Sequence, residues 1–471
     1  MRRDRERMTR GRGLHGSGIG RAGLALTVFS LLGGCASLQT VNTPIDHVDL
    51  AHGYRPGNAE QHRETGGIWL ILAFSGGGTR AAAFAYGVME ALRDTEVVVR
   101  GEKLRILDEV DAISGVSGGS FPAAYYGLFG DRIFDDFEER FLKKNIQAAL
   151  ILRTLNPINL IRFMATSLNR TALASRYYDD QLFDGATFAD LTAARGPRVH
   201  INATDLPSGE RFRFNQGAFD MICSDLDPFP ISQAVAASSA VPVVLSPLTL
   251  RNYAGRCGFE PPAWFKEALA SRSTNPRGHR AAEGASIFLD SDRKRFIHLV
   301  DGGISDNLGL RLILDRVSAM GGVEEVRRFD RLTTPDHVVV VVVNAETAPD
   351  PAIDLISAAP SLLASVNLVS GSQIRRYNFE TMLLSRSVIH GFGDELSTPE
   401  KRVTSRLVEV SFDALADPDE RDYFKHLPTS FKLSDEQVDR LRAVGRQLLL
   451  ESPEFQDLLR ILRSAGTIGS Q

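Results

Sequence analysis

Ser117 stands in the run Gly115-Val116-Ser117-Gly118-Gly119, a G-x-S-x-G pattern between an apolar stretch and a second run of small residues. A serine attacks a carbonyl carbon only when its oxygen is presented and a base takes its proton. A turn sharp enough to lift a serine from strand end to helix start crowds the positions two before and two after it. Glycine at 115 and 119 relieves both clashes. The residue after such a serine turns its backbone N–H toward a developing oxyanion, so Gly118 is a candidate donor.

A second glycine turn, Ser75-Gly76-Gly77-Gly78-Thr79-Arg80, opens another run of small residues. Backbone N–H groups converging at a helix start hold negative charge, helped by the helix dipole. The run also reads G-x-G-x-x-A, a dinucleotide fingerprint, but no acidic residue closes a strand at the distance that fingerprint needs. Gly76, Gly77 and Gly78 are therefore read as an oxyanion loop. Arg80 is either a plain surface residue or one that steadies the loop and favours anionic head groups.

The base for Ser117 would ordinarily be a histidine. His298 lies three residues back from Asp301 in one strand, which puts it on the other face and deeper. His337 precedes its strand and falls at the wrong end of a sheet, whereas position alone leaves His390 open. Asp301, on the turn Asp301-Gly302-Gly303, is the best placed, although an aspartate there also serves simply to cap a following helix. Neither C-x-x-C nor H-E-x-x-H appears, so no metal set and no cofactor is expected.

These groups need elements to carry them. "IWLILAF", "LRILDEVDAI" and "RKRFIHLV" are strands that each run into a glycine turn and then a helix. "HVVVVVVNAE" is continuously apolar, as in a strand buried on both faces of a parallel sheet. "PRVHINATDLPSGERFRF" is two strands around a P-S-G turn. Strands alternating with helices predict an α/β fold, a mostly parallel central sheet flanked by helices, with ligands at the carboxyl ends of the strands. Residues 129–190 read as a helical, cap-like insertion, either extra packing against the core or an apolar cap over a lipid site, and residues 255–283 as a polar surface loop. "QAVAASSAVPVVLSPL" is a small-residue helix broken by Pro242. Ser434 and Gln437 are spaced as a capping box for a late helix.

"LAFSGGGTRAAAFAYGVMEAL", "GVSGG", "AVAASSAVPVVLSPL" and "LVDGGISDNLG" occur in an order that resembles the patatin-like phospholipases, from about residue 67 to the tail. The resemblance implies a three-layer α/β architecture and a Ser–Asp dyad hydrolysing acyl esters of lipids without a metal. Ser117 then matches the nucleophile and Asp301 the base. Gly76, Gly77 and Gly78 match the oxyanion loop, and Gly302, Gly303 and Asn307 are supporting positions. Two departures, Ser75 where the family often has aspartate and Ala81 where it often has glycine, leave every reacting group in place. The alternatives are a Ser–His–Asp esterase using His390 and a catalytically silent binding module.

The chain has 471 residues and a formal net charge of −4, which argues against attraction to nucleic acid. Its basic start and the short apolar run "AGLALTVFSLLGGCAS" form the pattern of a secretory signal, too short to span a bilayer. "LGGC" is similar to the lipobox of bacterial lipoproteins, which implies a signal peptide over 1–35, lipidation at Cys35 and a tether over 36–65. The acyl-hydrolase domain then occupies 66–465. Ala36 after the cysteine implies the Gram-negative outer membrane, with Met8 an alternative start. The expected partners are a phospholipid or other acyl-ester lipid and the membrane that holds the anchor. Cys223 and Cys257 either close one disulfide or remain two buried thiols, since connectivity is not written in a sequence.

Overall fold

The computed structural model describes residues 42–55, 67–99, 102–159, 169–242, 244–349, 351–355, 357 and 359–468. Cys35 and the leader around it lie outside the described residues. Eight strands form one sheet: β1 (Ile68–Phe74), β2 (Val110–Val116), β3 (Arg198–Asp205), β4 (Arg211–Arg213), β5 (Leu248–Arg251), β6 (Phe296–Asp301), β7 (His337–Asn344) and β8 (Thr404–Ser411). Their order is β8-β7-β1-β2-β3-β6-β5, with β4 also paired to β3. The five strands from β8 to β3 are parallel. β4, β5 and β6 run antiparallel to their neighbours.

The helices that position the site are α1 (Gly78–Asp94), α2 (Ser120–Phe129), α3 (Ile146–Leu155), α4 (Ile231–Ser238), α5 (Ala263–Ala270), α6 (Pro276–Ser286), α7 (Gly303–Asp306), α8 (Arg311–Met320), α9 (Leu362–Leu396) and α10 (Asp435–Glu451). Helices α1, α2, α4 and α10 share a core with Leu72, Phe74, Ile113 and the alternate valines Val339, Val341 and Val343. Helices α8 and α9 pack with Val338, Val340 and Val342 on the opposite face. The valine run is thus buried on both sides, each side chain worth roughly 2 kcal/mol relative to exposure. The result is a three-layer α/β fold. Helix α10 begins with the expected capping box, Ser434 and Gln437 exchanging side-chain and backbone bonds.

The pairing on β3 decides how the site is assembled. Asn202 pairs with Val116 of β2 on one edge and Arg213 of β4 on the other. The next two residues, Ala203 and Thr204, pair with Asp301 and Val300 of β6 and still with β4. Since β4 occupies one edge throughout, β2 and β6 share the other and meet end to end from opposite directions. β6 therefore reaches the site by running inward. His298 consequently lies farther out than Asp301, not deeper as the sequence suggested, and bonds Thr249 Oγ1 at 3.0 Å.

Three other expectations change. Residues 42–55, read as part of a tether, are packed on the domain: Thr43 and Pro44 pair with Asp225 and Ser224, Tyr54 is buried in the main core and Arg55 bonds Asp220 at 3.0 Å. Residues 255–283 hold helix α5 and most of α6 rather than only loop. Phe265 and Ala268 of α5 pack with Ala282 of α6 and Ala319 of α8, and Asn275 caps α6 ahead of Pro276. The polar composition reflects a small core with a large solvated surface. Within 129–190, Phe137, Phe141, Tyr178 and Phe183 are fully buried in the main core. Among the described residues of this span, α3 presents an apolar face to solvent, with Leu152 70% and Leu155 62% exposed.

Candidate active site

Ser117 leaves β2 with φ of +50°, in the left-handed region that non-glycine residues avoid. Two serines hold it there. Ser117 N–H donates to Ser238 Oγ at 2.9 Å, and Ser120 Oγ donates to the Ser117 carbonyl at 2.6 Å. The turn tolerates nothing larger than glycine on either side. A Cβ on Gly115 would stand 2.7 Å from Ser120 Cα, and one on Gly119 2.6 Å from the Phe74 carbonyl.

Across the meeting of β2 and β6, Ser117 Oγ donates to Asp301 Oδ2 at 2.7 Å. The other carboxylate oxygen accepts from Gly303 N–H at 2.8 Å. The Asp301 backbone is fixed too, its N–H on the Ala240 carbonyl at 3.0 Å and its carbonyl taking Thr204 Oγ1 at 2.9 Å. A Cβ on Gly302 would lie 2.3 Å from the Asn202 carbonyl, so the junction of the two strands closes only around glycine. Burial pushes the Asp301 carboxyl up to about 6, against the opposing pull of the Ser117 and Gly303 hydrogen bonds. An aspartate so placed is a stronger base than a solvated one.

The glycine loop, expected as an oxyanion loop, offers fewer free donors than the sequence suggested. Gly76 N–H is already bound to the Asn307 carbonyl at 3.0 Å, so Gly76 shapes the loop without being a donor. The N–H groups of Gly77, Gly78 and Gly118 have no acceptor among the described residues. Gly77 and Gly78 adopt φ of +140° and +61°, values that favour glycine. The loop and the serine turn touch, since a Cβ on Gly118 would sit 2.1 Å from the Gly78 carbonyl. The Asn307 side chain lies against both Gly76 and Gly303, joining the loop to the aspartate turn. Ser75 holds the loop to the end of β7 by accepting Ala345 N–H at 2.9 Å.

Arg80 is buried, with Nε on the Ala345 carbonyl at 3.0 Å and one terminal nitrogen on the Leu427 carbonyl at 2.7 Å. Burial lowers its pKa to about 10. It steadies the loop from behind and is not the plain surface residue that the sequence also allowed. The same carboxy-terminal segment takes Thr79 N–H on the Ser430 carbonyl at 2.9 Å.

None of the candidate histidines joins the site. His337 pairs with Ile68 at the amino end of the parallel strands. His390 is exposed on α9, and its carbonyl accepts from Ser405, which pairs with Val338 at that same far end. Among the described residues no group of three or more His, Cys, Asp or Glu is placed to hold a metal, and no helix is long and apolar enough to cross a membrane. Cys223 and Cys257 form a disulfide, resolving the choice that the sequence left open. Ser120, Ser238 and Ser430 carried no individual signal, because buried serines in small-residue runs look alike until their partners are known.

A family model described as patatin-like phospholipase matches residues 72–314. No match is found among curated proteins. Among solved structures, human GIVD cytosolic phospholipase A2 is similar at 14% identity and a TM-score of 0.43, covering 85% of this chain and 63% of that one. The same human protein in complex with methyl gamma-linolenyl fluorophosphonate aligns at 13% identity and a TM-score of 0.40, over 86% and 60%. The chain thus spans less than two thirds of the length of these structures. The family match takes in more than half of the sequence, including both glycine loops, Ser117 and Asp301, and the chain belongs to the patatin-like phospholipase family.

Proposed function

We propose that the protein is a serine acyl hydrolase that cleaves carboxylic esters of membrane lipids through Ser117 and Asp301. The observation that carries this reading is the 2.7 Å bond from Ser117 Oγ to a buried carboxylate. As Oγ attacks the ester carbonyl, its proton passes to Asp301 Oδ2 and the carbonyl electrons move onto oxygen. Gly77, Gly78 and Gly118 supply N–H groups for that oxyanion, each such donor worth about 3 kcal/mol. Collapse expels the lipid alcohol, which takes the proton from Asp301 and leaves an acyl-Ser117. Water, deprotonated by the same carboxylate, then releases the fatty acid and restores the serine. The chain's own residues handle every proton in this sequence.

A lipid substrate is supported by exposed aliphatic side chains on segments that adjoin the site in the chain or through main-chain bonds. Ile304, next to Gly303, is 41% exposed, and Val244 in the loop after α4 is 58% exposed. Helix α3, whose Gln147 N–H binds the Phe431 carbonyl next to Ser430, adds Ile151, Leu152 and Leu155. Cys35 is the proposed lipidation site, holding the enzyme at the outer membrane as an exported lipoprotein.

Purified protein incubated with mixed membrane lipids should release free fatty acid by mass spectrometry, and Ser117→Ala should abolish the release. A fluorophosphonate should label Ser117 in folded, lipid-presented protein. Absence of both would leave a silent binding module.

A further inference from the structure

We propose that Ser238 is a positioning residue that clamps nucleophile and base in register. Its Oγ accepts the N–H of Ser117 at 2.9 Å, while its own carbonyl accepts the N–H of Gly302 at 3.0 Å. One fully buried residue at the end of α4 thereby holds the turn that carries the serine and the turn that carries the aspartate. Two residues on, the Ala240 carbonyl takes Asp301 N–H at 3.0 Å. The inference rests on Ser117 and Asp301 acting as nucleophile and base.

The strand pairing explains why such a clamp is needed. β2 and β6 meet end to end, so no ladder bond joins them directly. Each is referenced to β3, through Asn202 and Ala203. Beyond their last pairs, Ser117 and Gly302 enter turns of their own, and Ser117 does so in the left-handed region. A serine released from its N–H acceptor relaxes toward ordinary φ and carries Oγ away from Asp301. The side chain is what matters at 238 for the serine turn, because the Gly302 bond uses the main chain and survives substitution. Removing the hydroxyl therefore loosens one turn relative to the other.

The direct test is Ser238→Ala in the full chain, assayed on a soluble short-chain ester. The expected result is a kcat reduced on the order of 10- to 100-fold, the scale of a misplaced reacting group, with KM nearly unchanged. The acid limb of kcat/KM should also move to higher pH. Only burial, the Ser117 hydroxyl and the Gly303 N–H shift Asp301, with no charged group from any packed element contributing, so weakening the Ser117 bond removes one of two restraints. Ser238→Cys, close in volume but a poor acceptor, provides the same test should the alanine variant not fold. Ser239→Ala is the control. That hydroxyl is equally buried but, one residue past α4, bonds the Val235 carbonyl of that helix and neither turn, so its loss should lower stability and leave kcat and the acid limb in place.

Full kcat with an unmoved acid limb in a folded Ser238 variant would overturn the clamp, provided Ser117→Ala and Asp301→Asn are inactive. Equal losses in the Ser238 and Ser239 variants would also overturn it, by making the effect one of packing. Activity persisting in Ser117→Ala or Asp301→Asn would instead bring down the dyad itself.

Discussion

Ser117 Oγ lies 2.7 Å from Asp301 Oδ2 at the point where two strands, running toward each other along one edge of a third, stop one residue apart. Val116 is the last residue of β2 to pair with β3, at Asn202, and Asp301 is the last of β6, at Ala203. Residues separated by 184 positions in sequence are thus set in register by neighbouring residues of β3. This geometry fixes the Ser117–Asp301 pair to the sheet, and makes the behaviour of the proposed dyad predictable from the surroundings of one carboxylate.

The first consequence concerns pH. A base works only when ionised, and burial pushes Asp301 up to about 6. On a soluble neutral ester, kcat/KM should fall tenfold per unit below about pH 6 and level off above about pH 7. Asp306, also buried and pushed up to about 6, faces Arg211 and the Arg311 N–H instead of the serine. Asp306→Asn should therefore keep the acid limb. A pH–rate profile flat down to pH 4 would remove Asp301 as the base.

The same carboxylate should cost stability. Its folded pKa of about 6 lies above the ordinary 3.8, so between these values the folded chain holds a proton that the unfolded chain has released. Stability then falls as pH rises through that window, and the deficit, on the order of 3 kcal/mol, persists above it. Asp301→Asn keeps an oxygen for Gly303 N–H and removes the buried charge. It should melt higher than the parent at pH 7 while being inactive, with the advantage vanishing below about pH 4. Thermal melts across pH 3.5–8 check the sign, and a lower melting point at pH 7 would contradict it.

The glycine turns were legible in the sequence because their cause is local. A serine between glycines at plus and minus two means a sharp turn wherever the chain goes, and the clashes at Gly115 and Gly119 are those the pattern foretold. Strand direction is not local. Asp301 was placed at the correct edge by assuming that β6 runs like its neighbours, whereas it arrives from the opposite side and simply stops in time. The same assumption put His298 too deep. Gly76 and Arg80 changed role for a related reason. Whether an N–H or a guanidinium is free depends on Asn307, Ala345 and Leu427, all distant in sequence. The small core of α5 and α6 was missed because its polar surface outweighs the few side chains it buries.

Arg80 supports a third prediction, on specificity. Its guanidinium is spent on two backbone carbonyls behind the oxyanion loop. Arg80→Met, similar in length but without donors, leaves those buried carbonyls without its hydrogen bonds and frees the loop. Turnover should drop on the order of 10- to 100-fold, by the same factor for anionic and zwitterionic phospholipids. Parallel assays on vesicles of each type measure the ratio. A loss confined to anionic lipids would mean that the arginine reaches the head group after all.

The disulfide supports the fourth. Cys223 and Cys257 are 34 positions apart, and closing a loop of that size restricts the unfolded chain by about 3–4 kcal/mol in the chain-entropy view. The double substitution Cys223→Ser with Cys257→Ser should lower the denaturation midpoint accordingly and leave kcat unchanged, since neither cysteine touches the turns that carry Ser117 and Asp301. Reductant should bring the parent protein down to the same midpoint and leave the double variant where it was. Such a bond is favoured in an oxidising compartment, which agrees with the proposed export. Identical midpoints with and without reductant would mean free thiols, and the case for export would then rest on the amino-terminal sequence by itself.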